Sequence, residues 1–139
     1  MNKKEQLDYV NNVVCKNTLM ETLSIKITEI GDDYVVASMP VNNKVHQPDG
    51  VLHGGASVAL AESVGSFASY LFIDTEKFIV RGIEISANHL KSVKEGLVTA
   101  IAKPIHKGRT THLWEIKITN EEQQLVSLCK LTAIVLPKK

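Results

Sequence analysis

Ala56-Ser57-Val58-Ala59-Leu60-Ala61-Glu62-Ser63-Val64-Gly65-Ser66-Phe67-Ala68-Ser69-Tyr70-Leu71 is the stretch whose reading decides the fold. Most of its side chains are small, and Val58, Leu60, Val64, Phe67 and Leu71 supply the apolar bulk. Its length and pattern predict a helix rather than a strand. So many small side chains let other backbone approach closely on several sides. That suits a central helix wrapped by a sheet, or one packed against a partner. A single carboxylate, Glu62, stands in this helix. Glutamate is rarely buried without a partner, so either Glu62 faces solvent or it has chemistry to do. Val58, one turn earlier, offers no ion pair, whereas Ser66 falls one turn later on the same face.

The flanks supply the rest of the architecture. Leu7, Val10, Val14 and Leu19 recur at roughly helical spacing, which predicts an N-terminal helix over about 4–20. Leu23, Ile25 and Ile27 alternate as in a strand. Gly31-Asp32-Asp33 reads as a turn, and residues 34–41 as the returning strand, with Pro40 at its end or on an edge. After the helix the chain is strand after strand: 78–93, 97–106, 111–119 and 125–136. Turns stand at Lys94-Glu95-Gly96, Lys107-Gly108-Arg109 and Asn120–Gln123. Trp114 or Leu113 points inward according to register. Two strands, one long helix and four strands make an α+β fold, an antiparallel sheet against one helix. The length, 139 residues, fits a single domain, 1–139. One helix covers only one face of such a sheet and leaves its edges open, so a homo-oligomer is expected.

Composition excludes several classes. The chain is 44% hydrophobic and 22% charged, with 16 basic against 15 acidic residues. This is an ordinary globular balance with no electrostatic footprint for nucleic acid or an anionic membrane. Cys15 and Cys129 are too few for a disulfide scaffold and lack metal-ligand spacing. No signal peptide and no run of about 20 apolar residues is present. A cytoplasmic protein is expected, with no metal and no cofactor. The five histidines form no metal-binding pair.

The segment before the helix, His46-Gln47-Pro48-Asp49-Gly50-Val51-Leu52-His53-Gly54-Gly55, carries the chemistry. The first N–H groups of a helix lack internal partners and sit at the positive end of its dipole. Glycine there lets a ligand approach the backbone, so Gly54-Gly55 reads as a tight turn or as a site for an oxyanion. The Gln47 amide is a candidate second donor. His53 is the histidine placed to touch a reacting group. His89 and His106 fall near strand ends beside Lys91, Lys107 and Arg109, which either grip phosphates or are solvated. Gly55 to Glu62 spans about 10.5 Å of helix rise. An oxyanion at Gly55 and attack by Glu62 of the same chain are therefore hard to combine, which predicts a site shared between subunits.

These residues carry a resemblance. Gln47-Pro48-x-Gly50-x-Leu52-His53-Gly54-Gly55, followed by Ala61-Glu62-Ser63 and Gly65-Ser66, resembles the hotdog-fold acyl-CoA thioesterases of the PaaI-like group. Within that group it is most similar to the bacterial 1,4-dihydroxy-2-naphthoyl-CoA and enterobactin-pathway thioesterases. The likeness extends to Gly82–His89 and to Lys103–Gly108, and so covers nearly the whole chain. It implies a hotdog fold, an antiparallel sheet wrapped around the long helix and dimerised through the sheet, often as a homotetramer. It further implies Glu62 as nucleophile or general base, Gly55 N–H and Gln47 at the thioester carbonyl, and His53 and Ser66 in support. Gly82, the segment His89, Leu90, Lys91 and Ser92, and the segment His106, Lys107, Gly108, Arg109, Thr110 and Thr111 match the CoA-binding positions. The implied activity is hydrolysis of an acyl-CoA with an aromatic acyl group, with a link to menaquinone biosynthesis. A hydratase or dehydratase of acyl thioesters, with His46 in its loop, and an acyl-CoA-binding regulator are the alternatives.

Overall fold

The computed structural model describes residues 1–139. Helix α1 (Lys3–Tyr9) runs into one π-helical turn at Val10–Val14, and a short α2 (Leu19–Thr22) follows. Then come β1 (Lys26–Ile30), β2 (Val35–Val41), the long α3 (Gly54–Tyr70), β3 (Phe78–His89), β4 (Gly96–Lys107), β5 (Thr111–Thr119) and β6 (Leu125–Pro137). The six strands form one antiparallel sheet in the order β1-β2-β4-β5-β6-β3.

The N-terminal helix expected over 4–20 is broken. Asn17 adopts a left-handed backbone (φ 61°), and Thr18 caps a new helix by accepting from Met20 N–H. Ser24 is also left-handed (φ 58°), so β1 starts later than the alternation from Leu23 suggests. Pro40 lies near the end of β2, past the last residue that β1 pairs, Ser38. Its missing N–H therefore breaks no bond to β1.

The alternation of each strand explains how α3 is enclosed. Val35, Ala37, Met39 and Val41 of β2, and Val98, Ala100 and Ala102 of β4, are buried. So are Trp114, Ile116 and Ile118 of β5, and Cys129, Leu131 and Ala133 of β6. All but Ala133 belong to one core cluster with Leu60, Ala61, Val64 and Ala68 of α3. Trp114, not Leu113, is the inward residue. The small residues of α3 are what the close approach requires. A Cβ on Gly65 would stand 2.7 Å from Leu131 Cδ2. Cys129 lies in this core, and burial pushes its thiol pKa up to about 11.

The two sheet edges are treated differently. On β1, Asn11 acts as a strand surrogate: its Nδ2 donates to Ile27 O (2.8 Å) and its Oδ1 accepts from Ile27 N–H (2.9 Å). β3 pairs only with β6. Its register shifts between Gly82 and Glu84, and Arg81, Gly82, Ile83 and Glu84 are all exposed there. Ile83 is 59% exposed. An open edge of 12 residues with an exposed isoleucine is a template for pairing with another strand.

Candidate active site

Three structural features place the predicted residues. The first is the loop before α3. Gln47 N–H donates to Val51 O and Gly50 N–H to Gln47 O, with Gly50 in the left-handed region (φ 76°). The loop is thereby folded tightly, and an antiparallel bridge joins His46 to Leu52. Asp49 N–H donates to the Gln47 side chain at 2.6 Å. A backbone N–H can only donate, so the atom facing it is Oε1. The Gln47 NH2 group is left as a free donor. Gln47 lines a cleft of about 320 Å³ together with Leu52, Gly54, Ser57, His89, Leu90, Lys91, Ser92 and Ser127. The loop amide and the His89–Ser92 segment, far apart in sequence, thus meet at the N-terminus of α3.

The second feature is the start of α3 itself, where two imidazoles close on the two glycines. His53 is the N-cap, and its Nδ1 accepts from Gly55 N–H at 2.8 Å. A Cβ on Gly55 would lie 2.9 Å from that ring. His89 donates to or accepts from Ser127 Oγ through Nδ1 (2.8 Å), and its Nε2 would lie 2.7 Å from a Cβ on Gly54. The glycines are needed for these two contacts. The Gly55 N–H does not stand open as the sequence suggests: it is already engaged by His53. His46 is engaged too, its Nε2 donating to Lys94 O at 2.7 Å. That ring serves the loop and is not presented to the cleft.

The third feature is Glu62. It is half-buried on α3 and shares a cavity of about 310 Å³ with Ser63, Ser66, Val10, Val14, Met20, Phe67 and Tyr70. An adjoining cavity of about 630 Å³ shares Val10, Val14, Phe67 and Tyr70 and adds Tyr9, Leu71 and Ile73. No ion pair involves Glu62; the two in the chain are Lys3–Asp32 and Lys117–Glu115. Its Oε2 lies over Gly82, 2.5 Å from where a Cβ would stand. The missing side chain of Gly82 is the space the carboxylate uses. Of the N-terminal wall, Val10 and Val14 read from sequence only as the apolar stripe of a helix, and Met20 was not singled out. Tyr70 was legible in principle, two turns after Glu62 on the face that Ser66 shares.

The remaining predicted residues, His106 to Thr111, lie elsewhere. The antiparallel order puts the β4–β5 turn at the C-terminal end of α3, opposite Gln47 and His89. Lys107 Nζ stands 3.7 Å from the centroid of the Phe72 ring, just past α3. Within one chain, the loop amide, the carboxylate and this basic turn form three separate groups. No cluster of histidine, cysteine and acid positions is suited to a metal, and no helix is long and apolar enough to cross a membrane.

Residues 49–127 match the family model described as the thioesterase superfamily. The chain belongs to that superfamily. The 1,4-dihydroxy-2-naphthoyl-CoA hydrolase of Escherichia coli (strain K12) is 43% identical over 125 residues, 90% of this chain and 91% of that one. The proofreading thioesterase EntH of Cronobacter turicensis is 43% identical over 125 residues, 90% of each. The crystal structure of a mutant of thioesterase PA1618 from Pseudomonas aeruginosa superposes with a TM-score of 0.91 at 45% identity, covering 96% of this chain and 94% of that one. The expected hotdog fold is therefore the observed one, and this member of the thioesterase superfamily is a thioester hydrolase.

Proposed function

We propose that residues 1–139 form one hotdog domain that hydrolyses an aromatic acyl-CoA to the free acid and CoA, at sites shared between two subunits. The observation that carries this reading is Glu62: a carboxylate without a cation partner, set over a glycine and walled by apolar and aromatic side chains. The cavities beside it, with Tyr9, Phe67 and Tyr70, suit a flat apolar acyl group. The E. coli relative named for a naphthoyl-CoA supports that choice.

The donors and the base are at different places on one chain, about 10.5 Å apart along the helix between Gly55 and Glu62. Pairing β3 with β3 of a second copy, antiparallel, runs the two α3 helices in opposite directions. The Gln47 and Gly55 end of one then faces the Glu62 half of the other, and the basic β4–β5 turn comes toward the partner's His89–Ser92 segment. An isologous dimer of this kind makes two equivalent sites. The open β3 edge supports it, and two such dimers would give a homotetramer.

In the reaction, Glu62 acts as general base on water or as nucleophile on the thioester carbonyl carbon. The carbonyl oxygen gains charge and is held by the Gln47 NH2 group and by Gly55 N–H, which becomes free when the His53 ring turns away. Collapse of the adduct breaks the C–S bond and releases CoA thiolate; on the nucleophilic route water then hydrolyses the Glu62 acyl anhydride, freeing the acid and restoring the carboxylate. An oxyanion donor contributes about 10²–10³ in rate and a general base about 10²–10⁴. His46 is tied to a backbone carbonyl, which weighs against the hydratase alternative. Both cysteines are free and buried, in keeping with a cytoplasmic setting.

The test is a thioester panel followed by release of free thiol: aromatic acyl-CoAs, aliphatic acyl-CoAs and carrier-protein thioesters. Fastest turnover of an aromatic acyl-CoA, abolished in Glu62→Ala, is the expected result. No thiol release from any thioester, or equal turnover by Glu62→Ala, would refute the assignment.

A further inference from the structure

A buried polar chain that the Glu62 chemistry does not use lies beneath the β4–β5 turn. Ser69 and Trp114 are 0% exposed and His112 3%. Trp114 Nε1 donates to Ser69 Oγ at 2.7 Å, and His112 Nδ1 stands 2.9 Å from the same oxygen. Indole N–H can only donate, so Ser69 accepts there and its own proton is free for His112 Nδ1. That leaves Nε2 as the ring's donor, and His112 itself pairs with Lys107 across the two strands at the base of the turn. Burial, the largest influence, holds the His112 pKa below its ordinary value, which keeps the ring in this neutral form. Burying three polar side chains in a core is costly unless all are satisfied. Through His112, the second residue of β5, this chain ties the base of a surface turn to α3.

That turn is held from its other sides as well. Gly108 N–H donates to Thr111 O (2.8 Å) and Val135 N–H to Thr110 O (2.9 Å). A Cβ on Gly108 would meet His106 Nε2 at 2.6 Å and Thr111 O at 3.0 Å. Lys107 is laid on the Phe72 ring, a cation–π contact that restrains its stem. Lys107 and Arg109 have no acidic partner. Two unneutralised cations on a turn fixed from beneath make a preformed anion contact.

We propose that Ser69 and His112 are positioning residues that hold the Lys107–Thr110 turn ready for the phosphates of the CoA moiety. They touch no reacting atom and act through the turn. This rests on the proposed function only in taking CoA as the ligand. Losing the His112 contact frees about one residue of backbone, which must be reordered on binding, a cost that corresponds to about a tenfold loss of affinity.

The experiment compares wild type, His112→Phe and His112→Gln. Binding of CoA is measured by calorimetry, and hydrolysis is measured with an acyl-CoA and with the N-acetylcysteamine thioester of the same acid, which has no phosphates. His112→Phe is expected to weaken CoA binding and raise KM for the acyl-CoA by about tenfold, with kcat within about twofold. The truncated thioester should be hydrolysed as by wild type. His112→Gln, whose amide can still accept from Ser69 Oγ, should stay near wild type. Should His112→Phe not fold, Ser69→Ala is judged by the same criteria. Unchanged CoA affinity, equal losses on both thioesters, a loss in His112→Gln as large as in His112→Phe, or absence of CoA binding by wild type each overturns the inference. Wild type that binds CoA but releases no thiol would refute the proposed reaction instead, and the binding comparison would still decide this one.

Discussion

Gly82→Ala separates the chemistry of Glu62 from the stability of the fold. The new Cβ would stand 2.5 Å from Glu62 Oε2 and 3.4 Å from both Glu62 Cδ and Leu131 Cδ1. Carbon and oxygen rest no closer than about 3.3 Å, so the carboxylate oxygen must retreat by about 0.8 Å while Leu131 stays in ordinary contact. Gly82 is not among the residues with positive φ, so the strand accepts alanine without backbone strain. Reduced freedom of the unfolded chain then favours folding by about 0.4–1 kcal/mol, and Tm should hold or rise by a few degrees. A displacement of about 1 Å at a reacting group costs up to about 10² in rate, or about 2.7 kcal/mol of barrier. The expected result is a kcat lowered by about 10- to 100-fold in a protein that melts no earlier than wild type. Thiol release on a saturating acyl-CoA gives the rate, and calorimetry gives the melting point. A kcat within about twofold of wild type at unchanged Tm refutes the reasoning, because the carboxylate over Gly82 would not be a reacting group.

Three further outcomes follow from the same geometry. His53→Ala removes the acceptor of Gly55 N–H and should lower stability by about 0.5–2 kcal/mol, as N-cap losses do, read from urea midpoints; an unchanged midpoint contradicts the cap. Gln47→Ala should lower kcat by about 10²–10³ with little change in KM, and a pure KM effect would remove Gln47 from the oxyanion site. The His112 pKa is lowered in the fold, so below about 6.5 the unfolded chain binds more protons at this residue and stability falls as pH falls. That loss ends once pH drops below the folded value, and it is absent above about pH 7. Urea midpoints measured across this window should fall less steeply in His112→Gln than in wild type; equal slopes would contradict it.

The long helix was legible because its small residues call for close packing, against a sheet or a partner, and the structure shows the first: Gly65 admits Leu131, and Ala61 and Ala68 lie in the core. The strands were legible from alternation and turn residues, since each buries one face. The N-terminal segment was not. Its apolar spacing suits one helix, but a left-handed residue at 17 breaks it and another at 24 delays β1, and nothing in the period marks them. Its burial against Glu62, which makes Val10, Val14 and Met20 a cavity wall, depends on tertiary contact alone. Gln47, His53 and the glycines were legible as a group because they are adjacent. Which donor is free was not, because the His53 cap on Gly55 is a side-chain choice. Ser69 and His112 stand 43 residues apart and meet only through the register that turns Trp114 inward.

Glu62 is proposed to work with Gln47 and Gly55 of a second subunit, and mixed dimers test this directly. Glu62→Ala and Gln47→Ala proteins, each inactive, are mixed, unfolded and refolded, and the mixed dimers are isolated by a tag on one chain. Each mixed dimer then holds one site with both residues intact and one with neither. Turnover of an acyl-CoA at about half the wild-type rate per dimer is predicted. No recovery in verified mixed dimers, with both parent proteins folded, would place the two residues in one chain's site and contradict the account.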